Sequence, residues 1–396
     1  MKIRSLLISG RNWMEEASKY LYSCKVQFLF ILLCVFLSRI LIYVFFEYWA
    51  CANQSDISFW DALSKYDTSW YKTIIEEGYF KQPLLGDHHD AANWAFFPLY
   101  PLLMKVSHFI LPINYDILAF GVNSLLLLFA LFFAFKYILL TRNDVIQAYI
   151  FVILMAFGVY NFYFSILYTE SLFIFLVITF FYCLKKKKYL WMGIIGALAS
   201  ATRNMGVMLV FPVIVQFLED YFQTNKFSIK GFFLNLVNSH KFILGTMMIP
   251  GGLFSYMLYL YLWVGDSMAF VHIQRAWGRG DISNPLRVLL NSLTNINSFV
   301  FYLSLWSLWG IYCLWLLLNN KRWSELIMAA FFVFIPLSTS VDSMPRYLIG
   351  CFLPLLSYTD GISKYPIYKV IALMVLSFLF GLICLNGWFN YEAFVM

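Results

Sequence analysis

Eight apolar runs, at residues 26–48, 117–140, 144–163, 165–184, 242–264, 299–318, 325–341 and 367–388, recur along a chain of 396 residues. A membrane-spanning helix needs about 20 mostly apolar residues, and a span must be helical because lipid offers its backbone no hydrogen-bonding partner. A shorter run lies at 346–358. With 62% of residues hydrophobic and 12% charged, against about 25% charged in a soluble domain, the chain reads as an all-α polytopic membrane protein. Residues 26–396 form one membrane domain, preceded by a cytoplasmic segment at 1–25.

The run at 190–218, WMGIIGALASATRNMGVMLVFPVIVQFLE, is too long for one comfortable span and carries Arg203-Asn204 at its middle. Two short helices turning back at that pair resolve the conflict, and basic residues collect on the cytoplasmic side of membrane proteins. With the first segment inside and 190–218 as a hairpin turning outside, 18 Lys and Arg fall inside and 9 outside. A single span there would send Lys226, Lys230 and Lys241 outside. The hairpin predicts about eleven transmembrane helices.

The net charge of +7 is no signature of nucleic-acid binding, because the basic residues are spread between apolar segments. The seven cysteines occur singly without a CxxC pair, so they frame neither a zinc site nor a disulfide scaffold. The five Lys and Arg in residues 1–25 precede the first long run with no small-residue cleavage site, which reads as an uncleaved anchor. No internal repeat or low-complexity tract is visible.

The outer side then holds a large loop at 49–116. Its stretch 95–112, AFFPLYPLLMKVSHFILP, places Pro98 and Pro101 where a first helical turn tolerates them, and its apolar residues predict an interfacial helix. Trp60, Trp70, Trp94, Phe96, Phe97 and Tyr100 suit the headgroup level. Residues 66–80, YDTSWYKTIIEEGYF, put Trp70, Tyr71, Ile74 and Ile75 on one helical face, with Asp67 leading that face. Asp67 is either a helix cap or a working carboxylate, whose partial desolvation would make it a better base. Asp56 and Asp61 do not share its face and read as solvated loop.

Beyond that loop the outer basic residues are Arg203, Arg275, Arg279, Arg287 and Arg346, all arginine, whose donor fork matches phosphate. LYTESLF at 167–173 places Glu170 at the outer end of a span, as a helix-start residue or a functional acid. FVHIQRAWGRG at 270–280 holds His272, Gln274, Arg275, Trp277 and Arg279, and SMPRYLIGCFLPL at 343–355 holds Pro345 and Arg346. Arg39, deep in the first span, calls for a buried partner. GDHHDAAN at 86–93 offers Asp87, His88, His89 and Asp90 for a divalent cation, although adjacent residues rarely converge on one metal. No metal ligand is assigned.

In order, YDTSWYKTIIEEGY, AFFPLYPLL, YTESLF, ATRNMG, FVHIQRAWGR and SMPRYL resemble the PIG-V-type mannosyltransferases, a family of the GT-C class of multispanning glycosyltransferases. The resemblance covers about residues 56–358. It implies a GT-C fold, a polyprenyl- or dolichyl-phosphate-mannose donor, an extracytoplasmic active site and an essential Asp in the first outer loop, matched by Asp67. Eukaryotic members, which act on a glycosylphosphatidylinositol precursor, carry Trp before that Asp and His three positions after it. Here Tyr66 and Trp70 stand in those places, which fits a bacterial relative with another glycolipid, glycan or protein acceptor.

A lipid-phosphate donor carries its own leaving group, so one base and a cationic clamp suffice, unlike the two carboxylates of glycosidases. The expected roles are Asp67 as base, Arg203, Arg275 and Arg346 on the donor phosphate, and Trp70, Tyr71, Glu170, Gln274 and Trp277 around the sugar. Transfer of mannose or a similar hexose would invert the anomeric carbon. A lipid-linked-sugar flippase or other transporter is the competing class, marked by repeats and midplane charges. The membrane would be the bacterial inner membrane, or the endoplasmic reticulum in a eukaryote, where Asn53-Gln-Ser55 would be an outward sequon.

Overall fold

A computed structural model describes residues 23–84, 90–224, 239–279, 282–296 and 298–395, with Leu21, Ser228, Gly231, Leu236 and Val237. Among these residues the chain is all-helical, with no strand. In order the helices are α1 (Cys24–Ala52), α2 (Phe59–Leu63), α3 (Thr68–Glu76), α4 (Leu99–Ile110), α5 (Tyr115–Arg142) and α6 (Val145–Phe157). Then follow α7 (Glu170–Lys185), α8 (Tyr189–Thr202), α9 (Val210–Thr224), α10 (His240–Met248), α11 (Gly251–Val264) and α12 (Ala269–His272). The last are α13 (Pro285–Thr294), α14 (Phe299–Asn319), α15 (Trp323–Leu337), α16 (Met344–Gly350), α17 (Phe352–Ile362) and α18 (Ile367–Phe389).

Six stretches are long and apolar enough to cross a bilayer: α1, α5, Asn204–Gln223, His240–Val264, α14 and α18. With the shorter apolar helices α6, α8 and α15 beside them, they make a multi-pass helical membrane protein. Helix α7 is apolar nearly all round, and from Glu170 to Leu184 only Phe175 and Tyr182 are not fully buried. It is therefore the central helix, as an all-round apolar helix must be.

The long run at 190–218 does reverse. Arg203 leaves α8 with an extended backbone, a 3-10 turn follows over Asn204–Leu209, and a Cβ on Gly206 would stand 2.3 Å from the Ala199 backbone. Lys187 and Asp220, at the far ends of the two limbs, pair at 2.8 Å. Helix α8 also meets α10 backbone to backbone, where a Cβ on Gly193 would lie 2.4 Å from the Gly245 carbonyl oxygen. Small residues allow this approach between membrane helices.

Helix α4 leaves Leu102, Val106, Phe109 and Ile110 exposed along one side while Tyr100 and Met104 are buried. The run at 346–358 is not one helix: it breaks at Cys351 between α16 and α17, because Pro354 has no N–H for the Gly350 carbonyl. The run at 144–163 stops being α-helical at Phe157, and that at 165–184 becomes so only at Glu170. The partner expected for Arg39 is not found among the described residues. Its guanidinium is buried, and none of its three nitrogens has a hydrogen-bond partner among the described residues.

Charge gathers at the two ends of α5. Near its first turn Lys72 pairs with Asp116 at 2.7 Å, and at its last residue Arg142 and Glu325 form a buried bidentate pair that also takes the Tyr137 hydroxyl. At about 1.5 Å rise per residue, the stretch of α5 from Asp116 to Arg142 separates these clusters by about 39 Å.

Candidate functional site

The site begins in the turn between α2 and α3. Tyr66 has φ 53°, a left-handed conformation rare for a bulky side chain, and Asp67 follows at the N-cap position of α3. Asp67 does not cap the helix with its side chain. Capping needs an extended backbone that returns the carboxylate to the first-turn N–H groups, and Asp67 is helical at φ −64°, ψ −12°. Its carboxylate turns instead to Arg346, whose Nη1 donates to Oδ2 at 2.6 Å. Its backbone N–H donates to the Tyr168 hydroxyl oxygen at 3.2 Å.

Arg346 sits in the first turn of α16 and is buried. Its Nε donates to Glu170 Oε1 at 3.0 Å, and its guanidinium lies 4.3 Å above the Tyr168 ring. Glu170, the first residue of α7, is fully buried at a helix N-terminus, where negative charge is favoured. The same Oε1 accepts a bond from Arg203 Nη2 at 3.2 Å. Arg203 reaches it from the hairpin turn, passing between the rings of Phe173 and Tyr347. Four segments remote in sequence thus bring two carboxylates and two guanidinium groups together.

Not all of their capacity is used. Glu170 Oε2, Arg203 Nη1 and Thr169 Oγ1 are buried and have no hydrogen-bond partner among the described residues. Buried polar atoms are normally satisfied, so these open positions on Glu170, Arg203 and Thr169 are where a polar ligand would be received.

Above the charges stands an aromatic wall. Trp70 stacks on Phe96 at 6.0 Å and meets Trp277 edge-on at 5.8 Å, while Tyr71 is buried against Phe96, Tyr100 and Tyr168. Gln274 makes only a 3.5 Å bond to the Phe270 carbonyl in its own turn. Arg275 is exposed and has no bond to Asp67, Glu170, Arg203 or Arg346. The arginine of this segment that turns inward is Arg279, which donates to Ser343 Oγ at 2.9 Å and Tyr347 OH at 3.4 Å, next to Arg346. Gly278 at φ 68° makes that reversal.

Asp56 and Asp61 stay exposed, and Asp61 is bound by Ser58 at the start of α2. Of the DHHD stretch, Asp87, His88 and His89 lie outside the described residues, while Asp90 is exposed. Among the described residues no group of three His, Cys, Asp or Glu stands ready for a metal.

The residues that sequence reasoning passed over are Tyr168, Tyr163 and Lys65. Tyr168 lies two positions before Glu170 in the same LYTES stretch, and its neighbourhood was the available signal. Comparison with known protein families and with curated proteins finds no match to this sequence.

Proposed function

We propose that the chain is a GT-C-type hexosyltransferase, with about eleven spans, that moves mannose or a similar hexose from a polyprenyl-phosphate donor to a hydroxyl acceptor on the extracytoplasmic side. The observation that carries this reading is the shared grip of Arg346 on Asp67 and Glu170, with Arg203 Nη1 and Glu170 Oε2 still open. Arg346 and Arg203 hold the departing phosphate, a preorganised stabilisation of charge that develops in the transition state. Asp67, released from Arg346 as the phosphate takes its place, accepts the acceptor's hydroxyl proton as that oxygen attacks the anomeric carbon. The C–O bond to phosphate breaks, and the configuration inverts. Glu170 Oε2 takes a sugar hydroxyl, and Trp70 and Trp277 wall the sugar, while Arg275 stays at the rim.

A cavity of about 360 Å³, lined by Phe164, Tyr302, Trp306, Trp309, Ile349 and Phe380, supports a lipid-borne donor. Ile349 is one helical turn from Arg346, so a prenyl tail lying there leads its phosphate to the arginines. The bacterial inner membrane is the favoured location. The flippase reading expects its charges near the midplane, where, among the described residues, the sequence places Arg39. Membranes containing the protein, given radiolabelled polyprenyl-phosphate-mannose, decide between them. Label transferred to lipid, glycan or protein supports the enzyme, and label that changes leaflet without a new bond overturns it.

A further inference from the structure

We infer that segment 388–395 is a positioning strap for the Asp67 turn, and that Lys65 is the side chain that fastens it. Lys65 is 2% exposed, two residues before Asp67. Its Nζ donates to the Phe389 carbonyl at 2.8 Å and stands 3.5 Å from the centre of the Tyr391 ring. Phe389 is the last residue of α18, whose terminal carbonyls have no partner inside the helix, and a cation there is favoured. Without this carbonyl and ring an ammonium would not be buried.

The strap holds both sides of the acid–arginine site. On the Asp67 side, Tyr66 OH donates to the Glu392 carbonyl at 3.2 Å, and Trp388 Nε1 donates to the Ala62 carbonyl at 3.1 Å. The left-handed Tyr66 is thus held at its hydroxyl and packed between Trp388 and Tyr391. On the Arg346 side, Tyr163 OH donates to the Val395 carbonyl at 2.9 Å, and the Tyr163 ring stacks on Tyr168, the ring beneath Arg346. Strained backbone persists where its surroundings over-determine it, and segment 388–395 supplies those surroundings.

Hydrogen–deuterium exchange on the purified full chain in nanodiscs tests the strap without reference to any activity. Lys65→Met is expected to raise exchange at least tenfold in peptides covering 62–70 and 388–395, with peptides around Arg142 and Glu325 unchanged. Lys65→Arg, which keeps a cation for the carbonyl and ring, restores most of the protection. Unchanged exchange in Lys65→Met, or an equal rise across the whole chain, overturns the proposal. Should Lys65→Met not fold, Tyr391→Leu removes only the ring, and unaltered protection of 62–70 in that variant overturns it equally. A second arm rests on the hexosyltransferase reading: kcat falls by about 10²-fold while KM stays within about twofold. Raised exchange in a preparation whose wild type shows no transfer keeps the strap and removes the enzyme reading.

Discussion

Nη1 of Arg346 meets Oδ2 of Asp67 at 2.6 Å, across 279 positions of sequence. The contact ties the first outer loop to α16, and through Glu170 it extends to the central helix and to the hairpin turn at Arg203. On the proposed mechanism, a donor phosphate that takes Arg346 frees Asp67 in the same event.

Asp67→Asn keeps the shape of the side chain and removes its charge. On the proposed mechanism, transfer falls by about 10²- to 10⁴-fold, the usual contribution of a general base. The amount of protein in the membrane stays the same. Near-normal turnover in the radiolabel assay would take Asp67 out of the chemistry.

Arg346→Met leaves Asp67 without its ion-pair partner and leaves the fully buried Glu170 with Arg203 alone. The expected loss is about 3–5 kcal/mol of stability, because breaking a buried pair from one side leaves an uncompensated charge. Glu170→Met combined with Arg346→Met recovers part of that loss, so a double-mutant cycle on thermal unfolding in detergent gives a coupling well away from zero. Additive effects would mean the two side chains do not share the contact.

The Arg142–Glu325 pair is the control at the opposite end of the bundle. Glu325→Gln weakens a bidentate, buried contact and should lower stability by several kcal/mol, of the order of other broken buried pairs. Hydrogen exchange in 62–70 should not respond. A change there would show that the two ends are coupled through α5.

Lys65 supplies a dependence on pH. Burial pushes its ammonium down to about 8, from an unfolded value of about 10.4. Between those values the unfolded chain holds the proton that the folded one has lost, so stability rises with pH across that window and is reduced below it. Tyr66, pushed up to about 12 by burial with Tyr391 and Glu392 beside it, acts in the opposite sense above about 10. The unfolding temperature of the wild type should therefore climb between pH 8 and 10 relative to Lys65→Met, a window that lies below the range in which Tyr66 acts. Parallel pH profiles would rule this out.

Sidedness has its own test. Ser69 and Lys187 are both exposed, at opposite charged ends of the fold. Single cysteines there, in a background without the native thiols, should react with an impermeant maleimide from opposite faces of the membrane. Labelling from one face would invalidate the assigned topology.

The reversal at Arg203-Asn204 was legible in the sequence because a charged pair does not belong halfway along a span. The all-helical class followed equally from the apolar runs. Helix breaks were harder to read: Pro354 interrupts one run, and another stops at Phe157, where Gly158 takes an extended backbone and Gly381 packs against it. The meeting of Asp67 with Arg346 was not legible, since it joins residues 279 positions apart beside a left-handed Tyr66. The choice between Arg275 and Arg279 turned on the backbone of one residue, Gly278, and spacing alone carries no trace of it.

The two carboxylates and two guanidinium groups of the Asp67 cluster cancel in formal charge. Such a quartet can rest at the edge of a bilayer without attracting stray ions from either phase. On the proposed mechanism that neutrality sets the terms of entry: a donor phosphate takes Arg346 by displacing Asp67, so occupancy proceeds by swapping. Arg279, held beside the quartet by the hydroxyls of Ser343 and Tyr347, is the further cation within its reach.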